Sequence, residues 1–410
     1  MVVTRLRLRD FRTYASAQVD LGERLTIVHG ANGAGKTNLL EGLYFGCTGR
    51  SCRTSNEREV VRFDAPAARV EVEGRDRDGE HELSVGFQPG EAKRFKVDGA
   101  PAERLIDAPH RPLVSVFLPD RLELVKGPPA LRRAHLDQLV AALWPARAAT
   151  RRAYSQALAQ RNALISRVRA GGARSALAAW DLELARHGVA LRDDRSAAVE
   201  LLRERFAVAA QELGLAGEVE LRYRPRTKAT TAEELAGELA ERVDSDLERG
   251  FTTHGPHRDD VALLRDGREL RAYGSQGEQR LALLALLLAE RAALHDERGA
   301  PPLLLLVDVM SELDADRRER LVERLRVGQS VVTTTDLAHV PGADDHDVVR
   351  LHVDGGAVTP DGPLQAAAPG DPAVTSPPLQ AAAAPGGPPP PQAAAAAPAI
   401  ARPPLAEARP

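Results

Sequence analysis

Apolar and charged residues alternate over residues 2–8, the pattern recurs over 15–21, and Leu25-Thr26-Ile27-Val28 closes into an unbroken run, so the chain opens with three strands. Leu39, Leu40, Leu43 and Tyr44 then fall at helical spacing. Period-two runs at 69–73, 82–87 and 94–97, punctuated by Asp78-Gly79 and Asp98-Gly99, predict antiparallel strands joined by tight turns, with a further strand at 113–117. Between Leu131 and Leu213 strand signals stop, and Ala, Leu, Arg and Glu recur at helical period. Breaks at Trp144-Pro145 and Gly171-Gly172 predict two or three long helices, with Arg132, Arg133, Arg151, Arg152, Arg161 and Arg167 on their outer faces. Such faces suit plain solvation and a DNA-facing arm equally.

Strand texture returns at 218–223, followed by a helix over 232–249 with Thr230 or Thr231 as its N-cap and a hairpin around Arg265-Asp266-Gly267-Arg268. A helix over 277–293, an apolar strand at 303–307, a helix over 316–326 and a strand at 330–334 complete the pattern. Continuous apolar strands alternating with helices imply a parallel sheet covered on both faces. The expected fold is α/β, a head of mixed sheet with an antiparallel portion and an inserted α-helical arm. Its parts are residues 1–128 (head), 129–215 (arm), 216–358 (head) and a disordered tail, 359–410, of Ala, Pro, Gly and Gln.

Composition narrows the function. A formal net charge of −3 over 410 residues excludes a broadly basic coat, so any DNA contact must rest on local Arg clusters. Cys47 and Cys52 are too few for a disulfide framework or a Cys-only zinc site and read as reduced thiols. The N-terminus lacks a signal-peptide core, and the apolar run 281–289 falls far short of the roughly 20 residues that span a bilayer. The expectation is a cytoplasmic protein with no membrane contact.

The candidate chemistry starts at Gly30-Ala31-Asn32-Gly33-Ala34-Gly35-Lys36-Thr37, which lies between a strand and a helix. At this spacing backbone N–H groups wrap phosphate oxygens, Lys36 reaches the β- and γ-phosphates of ATP, and Thr37 offers its hydroxyl to Mg²⁺. Such a loop also needs a carboxylate from a neighbouring strand, and the run 303–307 ends in Asp308, which is assigned to metal binding and catalysis. Gly274-Ser275-Gln276-Gly277-Glu278-Gln279-Arg280 precedes the helix before that strand and looks like an ABC-type signature loop, so the α/β head is expected to be that of an ABC-type P-loop ATPase. Ser275, Gly277, Glu278 and Gln279 would then face the γ-phosphate of a second subunit, so that ATP is sandwiched in a head-to-tail homodimer.

These motifs resemble those of the RecF family of bacterial recombination and replication-repair ATPases, relatives of SMC and Rad50. The resemblance covers roughly residues 1–358 and rests on Leu6 through Tyr14, the phosphate loop, Thr48-Gly49-Arg50-Ser51, and Pro119 through Gly127 with Arg132-Arg133. It continues through Gly255-Pro256-His257-Arg258-Asp259-Asp260, the signature loop, Ser311-Glu312-Leu313-Asp314 and Thr333-Thr334-Thr335-Asp336. It implies a protein that binds ATP with Mg²⁺ and single-stranded, gapped or duplex DNA, and dimerises on ATP. It also implies work with RecR and RecO to load RecA in DNA repair, replication and the SOS response. By the same resemblance Ser311, Glu312, Leu313 and Asp314 form a D-loop at the dimer interface, and Thr334 or Thr335 stands where transporters keep a switch histidine. His254 and His257 read as structural or interface residues.

Two departures stand out. RecF-like chains usually end the second acidic strand with two acids, whereas here the pair is Val307-Asp308. Counting from the D-loop makes Asp308 the second acid and Val307 the missing metal ligand; counting along the strand makes Asp308 the metal acid. Either way one carboxylate is gone, which predicts ATP binding and dimerisation with slow hydrolysis. No Gln lies between Val114 and Gly127, leaving Asp120 and Glu123 as the nearest polar candidates for a Q-loop. The alternative function is the ATP-binding subunit of an ABC transporter, which would keep phosphate loop and signature much closer together. A P-loop kinase would leave the signature loop unexplained.

Overall fold

The computed structural model describes residues 1–105, 108 and 110–361, apart from the side chains of residues 119 and 120. The expected disorder beyond residue 361 and the Asp120 side chain therefore lie outside the described residues.

The chain begins with β1 (Val2–Phe11), β2 (Tyr14–Asp20) and β3 (Leu25–His29), then α1 (Lys36–Thr48). β4 (Ala68–Asp76), β5 (Gly79–Phe87), β6 (Arg94–Val97) and β7 (Ala100–Ala102) follow, turning at Asp78-Gly79 and Asp98-Gly99 as the sequence predicts. β1, β2 and β4–β7 form one antiparallel sheet in the order β2-β1-β4-β5-β6-β7. β8 (Val114–Phe117) and the single turn α2 (Glu123–Lys126) lead to the helices α3 (Pro129–Leu143), α4 (Ala148–Arg169) and α5 (Leu177–Glu212), broken at the two predicted places.

β9 (Val219–Arg224) is followed by α6 (Ala232–Glu241) and α7 (Val243–Arg249), where one helix was expected. Thr231 caps α6 in a reciprocal capping box with Glu234. β10 (Asp260–Arg265) and β11 (Arg268–Glu269) close a three-stranded sheet with β9. Next come α8 (Leu270–Tyr273), α9 (Gln276–Arg298), β12 (Leu303–Leu306), α10 (Ala315–Leu325) and β13 (Ser330–Thr334), and finally β14 (Val348–Asp354) and β15 (Ala357–Pro360).

The second large sheet runs β15-β14-β3-β13-β12-β8. Its pairings are parallel except for the β14–β15 hairpin. Alternation along β12 sets its two faces: Leu303, Leu305 and Val307 join a core with Leu39, Leu40 and Leu43 of α1, whereas Leu304 and Leu306 join one with α9 and the C-terminal half of α5. α1 is thereby clasped between the two large sheets. Gln329 ties them together, accepting from the Val3 N–H at 2.8 Å and donating to the Gly22 carbonyl at 2.8 Å.

Two expectations need correction. β15 takes in Thr359 and Pro360, which the sequence assigned to the tail; a proline is tolerated there because β15 is an edge strand. Arg132 and Arg161 do not lie on outer faces. Arg132 is buried and grips Asp260 with both arms of its guanidinium at 2.7 and 3.0 Å. Arg161 is 0% exposed and bonds Asp181 and Asp246, each at 2.6 Å. An unpaired guanidinium would not stay buried, but these acids lie up to 128 residues away in sequence, beyond the reach of a local pattern. Arg151, Arg152 and Arg167 are exposed, as expected.

Candidate nucleotide site

β3 delivers the chain to residues 30–35, which turn over the sheet edge into α1. Gly30 has a φ of 148°, and a Cβ on it would lie 2.2 Å from the Val353 carbonyl oxygen of β14, so only glycine fits there. Gly35 has a φ of 118° at the N-cap of α1 and accepts a hydrogen bond from the Tyr14 hydroxyl at 3.0 Å. Ala31, Asn32 and Gly33 form an exposed crest, while Ala34, Gly35 and Lys36 are buried behind it.

The Lys36 ammonium folds back to donate to the carbonyls of Gly30 at 2.8 Å and Ala31 at 3.0 Å. An ammonium has three donors, so one stays available for an anion over the loop. Burial pulls the Lys36 pKa below its ordinary value, and the Asp308 charge partly offsets this. Asp308 thus acts electrostatically on the phosphate loop. Its backbone takes a φ of 51°, its N–H donates to Thr333 Oγ1 at 2.9 Å, and its carboxylate accepts from the same hydroxyl at 3.1 Å. Val307, 4% exposed, sits on the α1 side of β12 in an apolar core, with its N–H on the Phe117 carbonyl. Thr37 lies half-buried in the first turn of α1. The donor set fits ATP: a glycine-rich loop leading into a helix N-terminus, with a desolvated ammonium folded back onto it. For Mg²⁺ the set offers the Thr37 hydroxyl and Asp308, with an apolar side chain where a second acid would stand.

The signature residues sit elsewhere in the chain, at the N-terminus of α9. Ser275 caps that helix in a capping box, with Glu278 N–H on its Oγ and Glu278 reaching back to the Ser275 N–H at 2.8 Å; Glu278 also pairs with Arg265. Because the Ser275 oxygen only accepts here, its hydroxyl proton is left to donate. Gln279 is buried and braces the loop, donating to the carbonyls of Leu270 at 2.9 Å and Gly274 at 3.1 Å. Ser275, Gln276 and Gly277 are exposed, and no hydrogen bond joins them to residues 30–37 among the described residues. The D-loop residues follow β12: Ser311 donates to the Asp308 carbonyl at 2.9 Å, Leu313 is buried, and Asp314 caps α10. Glu312 pairs with Arg280 of α9 at 3.1 Å. Thr334 is buried and turned onto Asp336, whereas Thr335 is exposed.

One supporting cluster was not assigned from sequence. Glu41, fully buried on α1, is gripped by both arms of Arg12 at 2.9 and 2.6 Å and also receives Ser51 at 2.6 Å and Arg53 at 3.1 Å. Arg53 reaches on to Asn38 Oδ1 at 2.9 Å, so the cluster fixes the first turns of α1. Its only sequence signal was that Arg12 and Ser51 fall within the motif strings. The Gly255–Asp260 motif is likewise a clasp between arm and head. His257 Nε2 donates to the Thr252 carbonyl at 3.0 Å, so Nδ1 must accept from the Tyr154 hydroxyl at 2.7 Å, and burial pushes its pKa down to about 4. Asp259 is buried against Tyr223 and Arg195.

Residues 2–355 match the family described as the RecF/RecN/SMC N-terminal domain. The DNA replication and repair protein RecF of Anaeromyxobacter sp. (strain Fw109-5) is 39% identical over 372 residues, covering 88% of this chain and 99% of the relative. The chain belongs to the RecF family. RecF of Myxococcus xanthus (strain DK1622) is 38% identical over 367 residues, covering 86% of this chain and 96% of the relative. A solved structure of the recombination mediator protein RecF-ATP in the RecFOR pathway superposes with a TM-score of 0.78 at 28% identity, over 88% of this chain and 98% of that one. RecF relatives thus match end to end, arm included, which tells against the transporter-subunit alternative. Among the described residues no helix is long and apolar enough to cross a membrane.

Proposed function

We propose that this RecF-family chain is an ATP-switched DNA-binding protein of recombinational repair and replication restart. ATP is bound by Gly30–Thr37, with Thr37 and Asp308 toward Mg²⁺, and bound ATP closes a head-to-tail homodimer in which Ser275 and Gly277 of the second copy meet the γ-phosphate. Mg²⁺, when bound, neutralises the charge of the phosphates. The observation that carries the reading is that one chain holds both a phosphate loop folded around Lys36 and an exposed signature loop at Ser275–Gly277, with no hydrogen bond between them among the described residues. The D-loop, Ser311–Asp314, lies beside Asp308 and is exposed but for Leu313, as an interface element would be. With Val307 in place of an acid, ATP serves chiefly as a dimerisation switch and hydrolysis is slow. Residues 129–215 act as a DNA-facing arm, and single-strand gaps, RecR, RecO and RecA are the DNA and protein partners this role calls for. The site is cytoplasmic.

Trans-complementation tests the composite site. Lys36→Met and Ser275→Arg, each alone, should fail to dimerise with ATP and Mg²⁺ in sedimentation. Mixed, they pair one intact phosphate loop with one intact signature loop, and dimer should return. A mixture as inert as either variant would sink the trans arrangement.

A further inference from the structure

Arg226, Arg249 and Arg258 converge on a cavity of about 360 Å³ from three separate elements: the segment after β9, the last turn of α7 and the turn before β10. Phe251 and Thr253 complete its lining. The chain's arginines are mostly paired to acids, yet among the described residues these three guanidiniums hold no ion pair. Two acids near them, Asp246 and Asp259, are engaged beneath the cavity. Asp246 is turned inward onto Arg161 and also holds the Thr253 N–H and hydroxyl at 2.9 and 2.7 Å. Asp259 is spent on Tyr223, Arg195 and the Arg226 backbone N–H, the last at 2.7 Å. The floor is thereby rigid and the rim uncompensated: the charge of Arg258 is felt by His257 and Arg133, lowering both pKa values beyond what burial does.

Phe251 is 40% exposed, an unusual place for a large apolar ring, and Arg258 lies 5.3 Å from its centroid. Its backbone is set by neighbours on both sides: Gly250 at a φ of 84°, and Thr252, whose N–H is held by Asn162 at 2.8 Å. Converging guanidinium forks suit the tetrahedral oxygens of phosphate. An aromatic face beside them suits a nucleobase, which offers its π-face to protein only when unpaired.

We infer that this pocket is a second anion site, remote from the phosphate loop, which takes a backbone phosphate of single-stranded DNA between Arg226, Arg249 and Arg258 and stacks a neighbouring base on Phe251. The inference rests on the DNA-binding reading above and adds to it a location and a strand preference.

The test uses the full chain with ATP and Mg²⁺ and follows fluorescence anisotropy of a labelled oligothymidylate and a blunt duplex across a salt series. Arg226→Gln/Arg258→Gln and Phe251→Ala should each weaken oligothymidylate binding by about tenfold or more. The double Gln variant should also flatten the salt dependence by about 0.7 per lost phosphate contact. Phe251→Ala should spare the salt slope and leave the duplex nearly unaffected. ATP-dependent dimerisation, unchanged in all variants, certifies the fold. Wild-type affinity for single strands retained by both variants overturns the inference while leaving the DNA reading intact; wild-type protein that binds no DNA overturns both. A loss of duplex and single strand in equal measure, or protection of the pocket by inorganic phosphate with no change in DNA affinity, also overturns it.

Discussion

Arg280, one turn into the signature helix, lies 3.1 Å from Glu312 of the D-loop in the same chain. Glu312 is also within the field of Asp308, which together with burial raises its pKa while Arg280 lowers it. The signature helix and the D-loop are therefore joined by an ion pair, and the charge of Asp308 is felt by both Glu312 and Lys36. Arg280→Ala should leave ATP affinity of the monomer unchanged and weaken ATP-dependent dimerisation about fivefold. Its own stability should fall by no more than about 1 kcal/mol, because the pair is partly exposed. Nucleotide titration alongside sedimentation checks this, and equal losses in both would refute the coupling.

Val307→Asp should raise ATP turnover by at least about tenfold by returning a second acid beside the metal position. Val307 is packed in the core under α1, so the new carboxylate should cost about 1–3 kcal/mol of stability without nucleotide. Single-site turnover and thermal melts of the two proteins read both effects. Turnover equal to that of the wild type would show that Val307 is not what limits hydrolysis.

His257 should make the protein acid-sensitive. Its native pKa of about 4 lies below the ordinary 6.5, so between those values the unfolded chain binds the extra proton and stability rises with pH. Acidification through that window should remove up to about 3 kcal/mol. Tyr154 and Thr252 bond the ring, Arg258 and Arg133 oppose its charging, and Asp246 favours it. His257→Gln should flatten the melting temperature between pH 6.5 and 4.5; a curve parallel to the wild type's would remove His257 as the cause.

Arg161→Met should cost about 3–5 kcal/mol in urea unfolding, because Asp181 and Asp246 would be left buried without a cation. Adding Asp181→Asn and Asp246→Asn should restore part of the loss. If the single variant melts like the wild type, the buried network is not what holds α4 to α5 and α7.

Removing residues 362–410 should leave ATP binding and dimerisation intact. Stopping at residue 347 should abolish both, since β14 and β15 would go with the cut. Nucleotide binding by the shorter protein would contradict the role given to β14.

What the sequence made legible was local. The phosphate loop, the capping boxes at Thr231 and Ser275 and the hairpin turns at Asp78-Gly79 and Asp98-Gly99 are each written within a few residues. What it hid was distant. Arg161 and Arg132 look like surface residues until Asp246 and Asp260 arrive from far along the chain. Glu41 shows no role until Arg12, Ser51 and Arg53 surround it. β14 escaped notice because only Leu351 and Val353 of its seven residues are fully buried, as expected of a strand near a sheet edge. The break between α6 and α7 at Arg242 carries neither Gly nor Pro to announce it.

Gly30 passes beneath the Val353 carbonyl, and the Ala34 carbonyl accepts a hydrogen bond from the Gly356 N–H at 3.3 Å. The phosphate loop is thus fastened by strands that leave the ribosome long after its own glycines have been made. A nascent or prematurely terminated chain would carry the phosphate-binding motif without the strand that shapes it. Competence to bind nucleotide, and with it entry into the dimer, would then be withheld until synthesis of the head is complete, so that incomplete copies could not poison the assembly.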